Sequence, residues 1–144
     1  MVDVGFIGLG VMGGPMARHI LASMRGSSDT LVAHTLEESA ASALVADGAV
    51  WADSPRAVAA RCGLVVLMVP DVPAIESLLA GPDGLLAGVG VPMTLVVCST
   101  VSPQSVRDLD AELSRATQGR VRVVDAPVSG GQCGAEAGTL SIMV

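Results

Sequence analysis

The string Gly8-Leu9-Gly10-Val11-Met12-Gly13 constrains this chain more than any other feature. It stands directly behind a short apolar segment, Val2 to Ile7, and just ahead of a helical stretch, Pro15 to Met24. The pattern G-x-G-x-x-G is weak evidence by itself, but between a strand and a helix it carries a mechanism. Gly8 allows a tight turn, Gly10 lets the backbone approach a pyrophosphate, and Gly13 lets the helix lie close to the strand. The free amides and the positive end of the helix dipole would then hold the anion. Gly8, Leu9, Gly10, Val11, Met12 and Gly13 are therefore candidate cofactor-binding residues, against the alternative of a purely structural turn.

The rest of the chain alternates strand and helix at the same spacing. Leu31 to Ala33 reads as a second strand. Glu37 to Ala46 reads as a helix closing at Asp47-Gly48, and Ala49 to Trp51 as a brief third strand. Ser54-Pro55 is a cap followed by proline in the first helical position, opening a helix to about Cys62. Leu64 to Val69 is a continuous apolar run of the kind a buried parallel strand requires. Pro73 to Leu79 is helical, and Gly81-Pro82-Asp83-Gly84 is a turn. Thr94 to Cys98 is another buried strand. Ser102-Pro103 repeats the cap-and-proline start of a helix reaching about Thr117. Val121 to Asp125 is a sixth strand, Ser129 to Gly138 a glycine-rich loop, and Thr139 to Val144 a last strand. Such alternation predicts an α/β fold, a doubly wound, mainly parallel sheet with helices on both faces, the Rossmann type, as one domain over residues 1–144. Right-handed crossovers leave little choice of topology.

Composition agrees with that fold and excludes others. Hydrophobic residues make up 51% of the 144, yet there is one Trp, one Phe and no Tyr, so Val, Leu, Ile, Ala and Met must build the core. The net charge is -6 and all eight cations are scattered arginines, which argues against nucleic acid as a partner. Three widely spaced cysteines, Cys62, Cys98 and Cys133, suit small buried residues better than a zinc site or a disulfide framework. No apolar run reaches the length of a membrane span. No basic segment precedes an apolar one at the start, so no signal peptide is expected and a cytoplasmic location is.

Three further places invite a ligand. Roughly 20 residues beyond the glycine string, where the fold expects a selector for the adenosine ribose, stand Ala33-His34-Thr35. An acidic residue there would mark NAD and an arginine NADP; neither is present. His34 and Thr35 could donate to a 2′-phosphate, a slight lean to NADP, or His34 could be an exposed loop residue. Met68-Val69-Pro70 and Cys98-Ser99-Thr100 lie at the carboxyl ends of two buried strands, where open α/β sheets bind ligands. Ser99 and Thr100 equally well merely lead into the next helix. Asp125-Ala126-Pro127-Val128-Ser129-Gly130-Gly131 offers a hydroxyl and successive amides, a nest for a carboxylate, or a plain loop.

Taken together, these blocks resemble the 3-hydroxyisobutyrate dehydrogenase family of β-hydroxyacid dehydrogenases, related to 6-phosphogluconate dehydrogenase, over essentially the whole chain. Gly8 through Ala17 is similar to that family's cofactor signature, and Ser99-Thr100-Val101-Ser102-Pro103 and Asp125 through Gly131 to its later blocks. The resemblance implies NAD or NADP as cofactor, contacted by Gly8 to Met12 and Met68, Val69 and Pro70, with Thr100 beside the nicotinamide. It implies a small carboxylate-bearing substrate held by Ser129, Gly130 and Gly131. Hydride would pass between the cofactor and the carbon bearing the hydroxyl. The family's acid/base is a lysine on a helix beyond the dinucleotide domain, and this chain contains no lysine. The resemblance thus places no catalytic residue here, and the chain is expected to bind the cofactor without turnover. It is also expected to associate with itself through the strand Thr139 to Val144.

Overall fold

The computed structural model describes residues 2–144. Its element order is β1 (Asp3–Ile7), α1 (Gly13–Ser23), β2 (Thr30–His34), a 3-10 turn (Glu38–Ala41), α2 (Ser42–Ala46), β3 (Val50–Trp51), α3 (Pro55–Ala59) and β4 (Leu64–Leu67). There follow α4 (Val72–Leu79), α5 (Leu85–Gly88), β5 (Met93–Val97), α6 (Pro103–Ala116), β6 (Val121–Asp125), β7 (Val128–Ser129), α7 (Gly131–Ala137) and β8 (Ser141–Ile142). Six strands form one sheet in the order β3-β2-β1-β4-β5-β6, every pairing parallel. The order reverses between β1 and β4. That reversal opens a crevice at the carboxyl end of the sheet, the place where doubly wound folds take their ligands.

The strand residues alternate between two cores. On one face Ile7, Val32, Val65, Leu67, Leu95 and Val97 pack with Val58 of α3, Ile75 and Leu78 of α4, Leu85 of α5 and Leu113 of α6. On the other, Val4, Phe6, Leu31, Ala33 and Val66 pack with Met16 and Ala17 of α1, Leu44 of α2 and Ala135 of α7. Both faces are covered, which is why the strands read as apolar runs rather than as alternating patterns. Phe6, the single Phe, lies wholly inside the second core.

The edge strand β6 is closed off by a side chain. Asp110 of α6 accepts the Val123 amide at 2.8 Å and is gripped by Arg122 through Nε at 3.0 Å and a second guanidinium nitrogen at 3.1 Å. An outward-facing ladder amide is thereby satisfied, and the edge is less open to another strand. The Arg122 hydrogen bonds come first, and the Val123 amide second, in holding the Asp110 carboxyl below its ordinary pKa.

Several sequence expectations are corrected here. The stretch Glu37 to Ala46 is a 3-10 turn and a short α-helix rather than one continuous helix, and α3 ends at Ala59. The expected loop from Ser129 to Gly138 holds β7 and α7. Its glycine density hides a helix fixed by tertiary contacts: Ala135 is buried, and His19 of α1 donates through Nε2 to the Glu136 carbonyl at 2.9 Å. The strand expected over Thr139 to Val144 shortens to Ser141–Ile142. It leaves the main sheet and folds back antiparallel on β7, with the Met143 amide donating to the Pro127 carbonyl. Cys62 and Cys98 are buried as expected, and desolvation raises both thiols to about 11, but Cys133 is exposed. Among the described residues no helix is long and apolar enough to cross a membrane, and no cluster of metal-ligating side chains occurs.

Candidate functional site

A cleft of about 490 Å³ opens at the carboxyl end of the sheet. It gathers residues from four separate stretches of sequence. The glycine string forms its floor, the end of β2 one wall, and the β4–α4 and β5–α6 connections the other. Gly8, Leu9, Gly10, Val11, Met12, Gly13, His34, Thr35, Met68, Val69, Pro70 and Thr100 all line it. So does Ser99, from the Cys98-Ser99-Thr100 segment, and so do Ile7, Leu36, Ala74, Ser77 and Leu78, which the motifs did not single out for contact. Leu36 is 96% exposed, an apolar side chain offered at the rim.

Three glycines of the string stand in different surroundings. Gly8 has φ +101°, and a Cβ there would run into the Met68 carbonyl oxygen. It is glycine because the chain turns left-handed while passing close to the end of β4. Gly13 sits where a Cβ would strike the Gly8 carbonyl oxygen, so its smallness lets α1 start against its own loop. Around Gly10, by contrast, a Cβ would meet no protein atom within 4 Å, and its φ is not left-handed. Nothing in the fold requires glycine at position 10. What its missing side chain leaves clear is the cleft.

The amides above that floor are free. Gly8 N–H donates to the His34 carbonyl at 3.0 Å and Leu9 N–H to Thr35 Oγ1 at 3.4 Å, which ties the loop to β2. The amides of Gly10, Val11 and Met12 have no protein acceptor among the described residues. Helix α1 has no side-chain cap and no acidic residue in its first turn. An 11-residue helix therefore points its uncapped positive end into the cleft.

On the other wall Ser99 is buried, and its Oγ accepts the Val69 amide at 3.4 Å, joining the ends of β4 and β5. Thr100 is exposed beside it, and Ser102 caps α6 by accepting the Ser105 amide at 3.1 Å. Of the two readings left open for this segment, Ser99 and Ser102 have structural duties, and Thr100 is free to meet a ligand.

His34 is not the exposed loop residue that the sequence allowed as an alternative. It ends β2, is 8% exposed, donates from Nδ1 to the Ala52 carbonyl at 2.9 Å and stacks on Trp51 with ring centroids 5.5 Å apart.

Ser129, Gly130 and Gly131 do not line this cleft. They stand at the start of α7, exposed, with φ of 136° at Gly130 and 63° at Gly131. The first tie there is Gly134 N–H to the Gly130 carbonyl, and the amides of Gly131, Gln132 and Cys133 have no acceptor among the described residues, as at any helix start.

Comparison with known proteins matches this arrangement to a family. Residues 3–144 match the family model described as the NAD binding domain of 6-phosphogluconate dehydrogenase. The chain is 42% identical over 144 residues to a 3-hydroxyisobutyrate dehydrogenase of Pseudomonas aeruginosa, covering 100% of this chain and 46% of that protein. It is 42% identical over 145 residues to an NAD-dependent L-serine dehydrogenase of the same organism, with the same coverage of 100% and 46%. Among solved structures, one described as Psf3 in complex with NADP+ and 2-OPP superposes with a TM-score of 0.83 at 34% identity, over 96% of this chain and 47% of that one. The chain thus spans about half the length of the relatives it matches. It belongs to the family described as the NAD binding domain of 6-phosphogluconate dehydrogenase.

Proposed function

We propose that the cleft binds a nicotinamide dinucleotide across Gly10, and that the chain supplies the cofactor-binding part of a dehydrogenase acting on a small 3-hydroxyacid or its semialdehyde. The carrying observation is the open space over Gly10 together with the unpaired amides of Gly10, Val11 and Met12. A pyrophosphate fits this donor set, which offers backbone hydrogen bonds and a helix dipole without needing a cation. Met68, Val69, Pro70 and Thr100 hold the nicotinamide end, and His34 and Thr35 the adenosine ribose. The bound cofactor supplies the hydride. The names of the relatives, dehydrogenases of 3-hydroxyisobutyrate and L-serine, support a substrate with a carboxylate and a nearby hydroxyl. Ser129, Gly130 and Gly131 anchor that carboxylate at the start of α7.

The proton on the reacting oxygen is handled by a group from outside residues 1–144. The chain has no lysine, and the cleft lining carries no carboxylate and only His34, whose Nδ1 is already committed. Calorimetry with NADH and NADPH, beside an absorbance assay at 340 nm with a panel of semialdehydes, tests both halves. Binding without turnover is expected. Failure to bind either cofactor refutes the first half, and steady turnover by this chain refutes the second. The three free cysteines, two of them buried, support a reducing compartment such as the cytoplasm.

The tail also supports self-association. Ile142, Met143 and Val144 are 55%, 54% and 92% exposed beside the short strand β8. Sedimentation should show concentration-dependent association that Ile142→Lys weakens; a monomer at high concentration, indifferent to that substitution, would refute it.

A further inference from the structure

Resting on the cofactor reading above, we infer that His34 selects NAD over NADP by accepting a hydrogen bond from the adenosine ribose. The partner of His34 fixes its tautomer. The Ala52 carbonyl can only accept, so Nδ1 of His34, 2.9 Å away, must carry the hydrogen. In a neutral imidazole the other nitrogen, Nε2, is then an acceptor. Stacking on Trp51 at an interplanar angle of 29° holds the ring in this orientation. Nε2 makes no hydrogen bond to the described residues and is not among the buried polar atoms left without a partner, so it keeps contact with solvent. His34 also lines the cleft, at the end of β2, where this fold places the residue that reads the ribose.

A lone pair at that point accepts from a 2′-hydroxyl, the task a carboxylate performs in many NAD enzymes. Against a 2′-phosphate the same lone pair meets acceptor oxygens. No arginine lines the cleft to offset that charge, and Glu37 and Glu38 stand three and four residues beyond His34 in the sequence. A histidine that looks in the sequence like a phosphate donor is thus turned by its second partner into a hydroxyl acceptor.

Two measurements on this chain at pH 8, where an imidazole is ordinarily neutral, test the inference. Calorimetry should show NAD binding at least about tenfold tighter than NADP, the discrimination one good hydrogen bond can give. His34→Ala should weaken NAD about tenfold and leave NADP nearly unchanged, and His34→Arg should invert the preference. Because His34 is buried and a variant could misfold, the second measurement uses the unaltered chain. Labelled with 15N-histidine, it should show Nδ1 protonated and Nε2 bare in His34, with the Nε2 signal moving on addition of NAD and His19 serving as the internal control. NADP binding as tightly as NAD, a hydrogen on Nε2, or an Nε2 signal indifferent to NAD would each overturn the inference while leaving the cofactor cleft intact. Failure to bind either cofactor would overturn the cleft reading and this inference with it.

Discussion

Helix α1 and helix α6 begin in opposite ways. At α6, Ser102 accepts the Ser105 amide and Pro103 takes a position that needs no donor. Helices α3 and α4 begin likewise, with Ser54 accepting the Ala57 amide at 3.2 Å and Asp71 the Ala74 amide at 2.9 Å. At α1 there is no such side chain, only glycine and three amides without acceptors. Helices α2, α5 and α7 share with α1 the lack of a side-chain cap, but α1 is the long helix among them and its uncapped start lines the cleft. The contrast separates helix starts closed by their own side chains from one whose free amides open onto a cleft.

Substitutions break this comparison in graded ways. The largest effect expected is on binding: Gly10→Val puts a branched side chain into the open space over the loop and should lower cofactor affinity by more than about 100-fold, with stability within about 0.5 kcal/mol of the parent. Paired calorimetry and thermal melts would show whether the two quantities separate. Gly13→Ala should do the reverse, costing on the order of 3 kcal/mol in urea unfolding, because its Cβ meets a backbone carbonyl that cannot swing away. At the closed starts the effect is smaller. Ser102→Ala or Asp71→Ala should cost about 1 kcal/mol each and leave cofactor affinity unchanged; a loss of affinity would erase the distinction between the two kinds of helix start.

The smallest effect lies far from the cleft. The Asp110 carboxyl is held below its ordinary value by Arg122 and the Val123 amide, so ionised Asp110 favours the folded state. Its contribution is complete above the ordinary Asp range near 4 and is lost as pH falls through the lowered folded value. Asp110→Asn should therefore lower Tm by about 2 °C at pH 7, the scale of a surface ion pair. The gap should close in acid. A gap that persists at low pH would show that shape, rather than charge, ties α6 to β6.

Where local chemistry decides, the residues themselves announced the outcome. Ser54-Pro55 and Ser102-Pro103 start helices, and the runs expected as buried strands over Leu64 to Val69 and Thr94 to Cys98 hold β4 (Leu64–Leu67) and β5 (Met93–Val97) within a residue or two. The parallel order around β1 follows from alternation and crossover handedness. Where a distant partner decides, they did not. Gly131 to Ala137 reads as loop because Gly131 and Gly134 are poor helix formers, and only packing of Ala135 and the tie to His19 hold it helical. The duty of His34 depends on Ala52, 18 residues away, and that of Ser99 on Val69, 30 away. Leu36, Ala74, Ser77 and Leu78 reach the cleft through the fold, with no motif to mark them.

The proposed function requires that a dinucleotide finish the open start of α1. An amide 15N–1H titration of this chain with NADH tests it residue by residue. The largest shifts should fall on Gly10, Val11 and Met12, with a smaller set at Thr100, while the capped starts at Ala57 and Ser105, outside the cleft lining, stay still. Shifts concentrated away from the glycine string, or Gly10, Val11 and Met12 unmoved at saturating NADH, would contradict it.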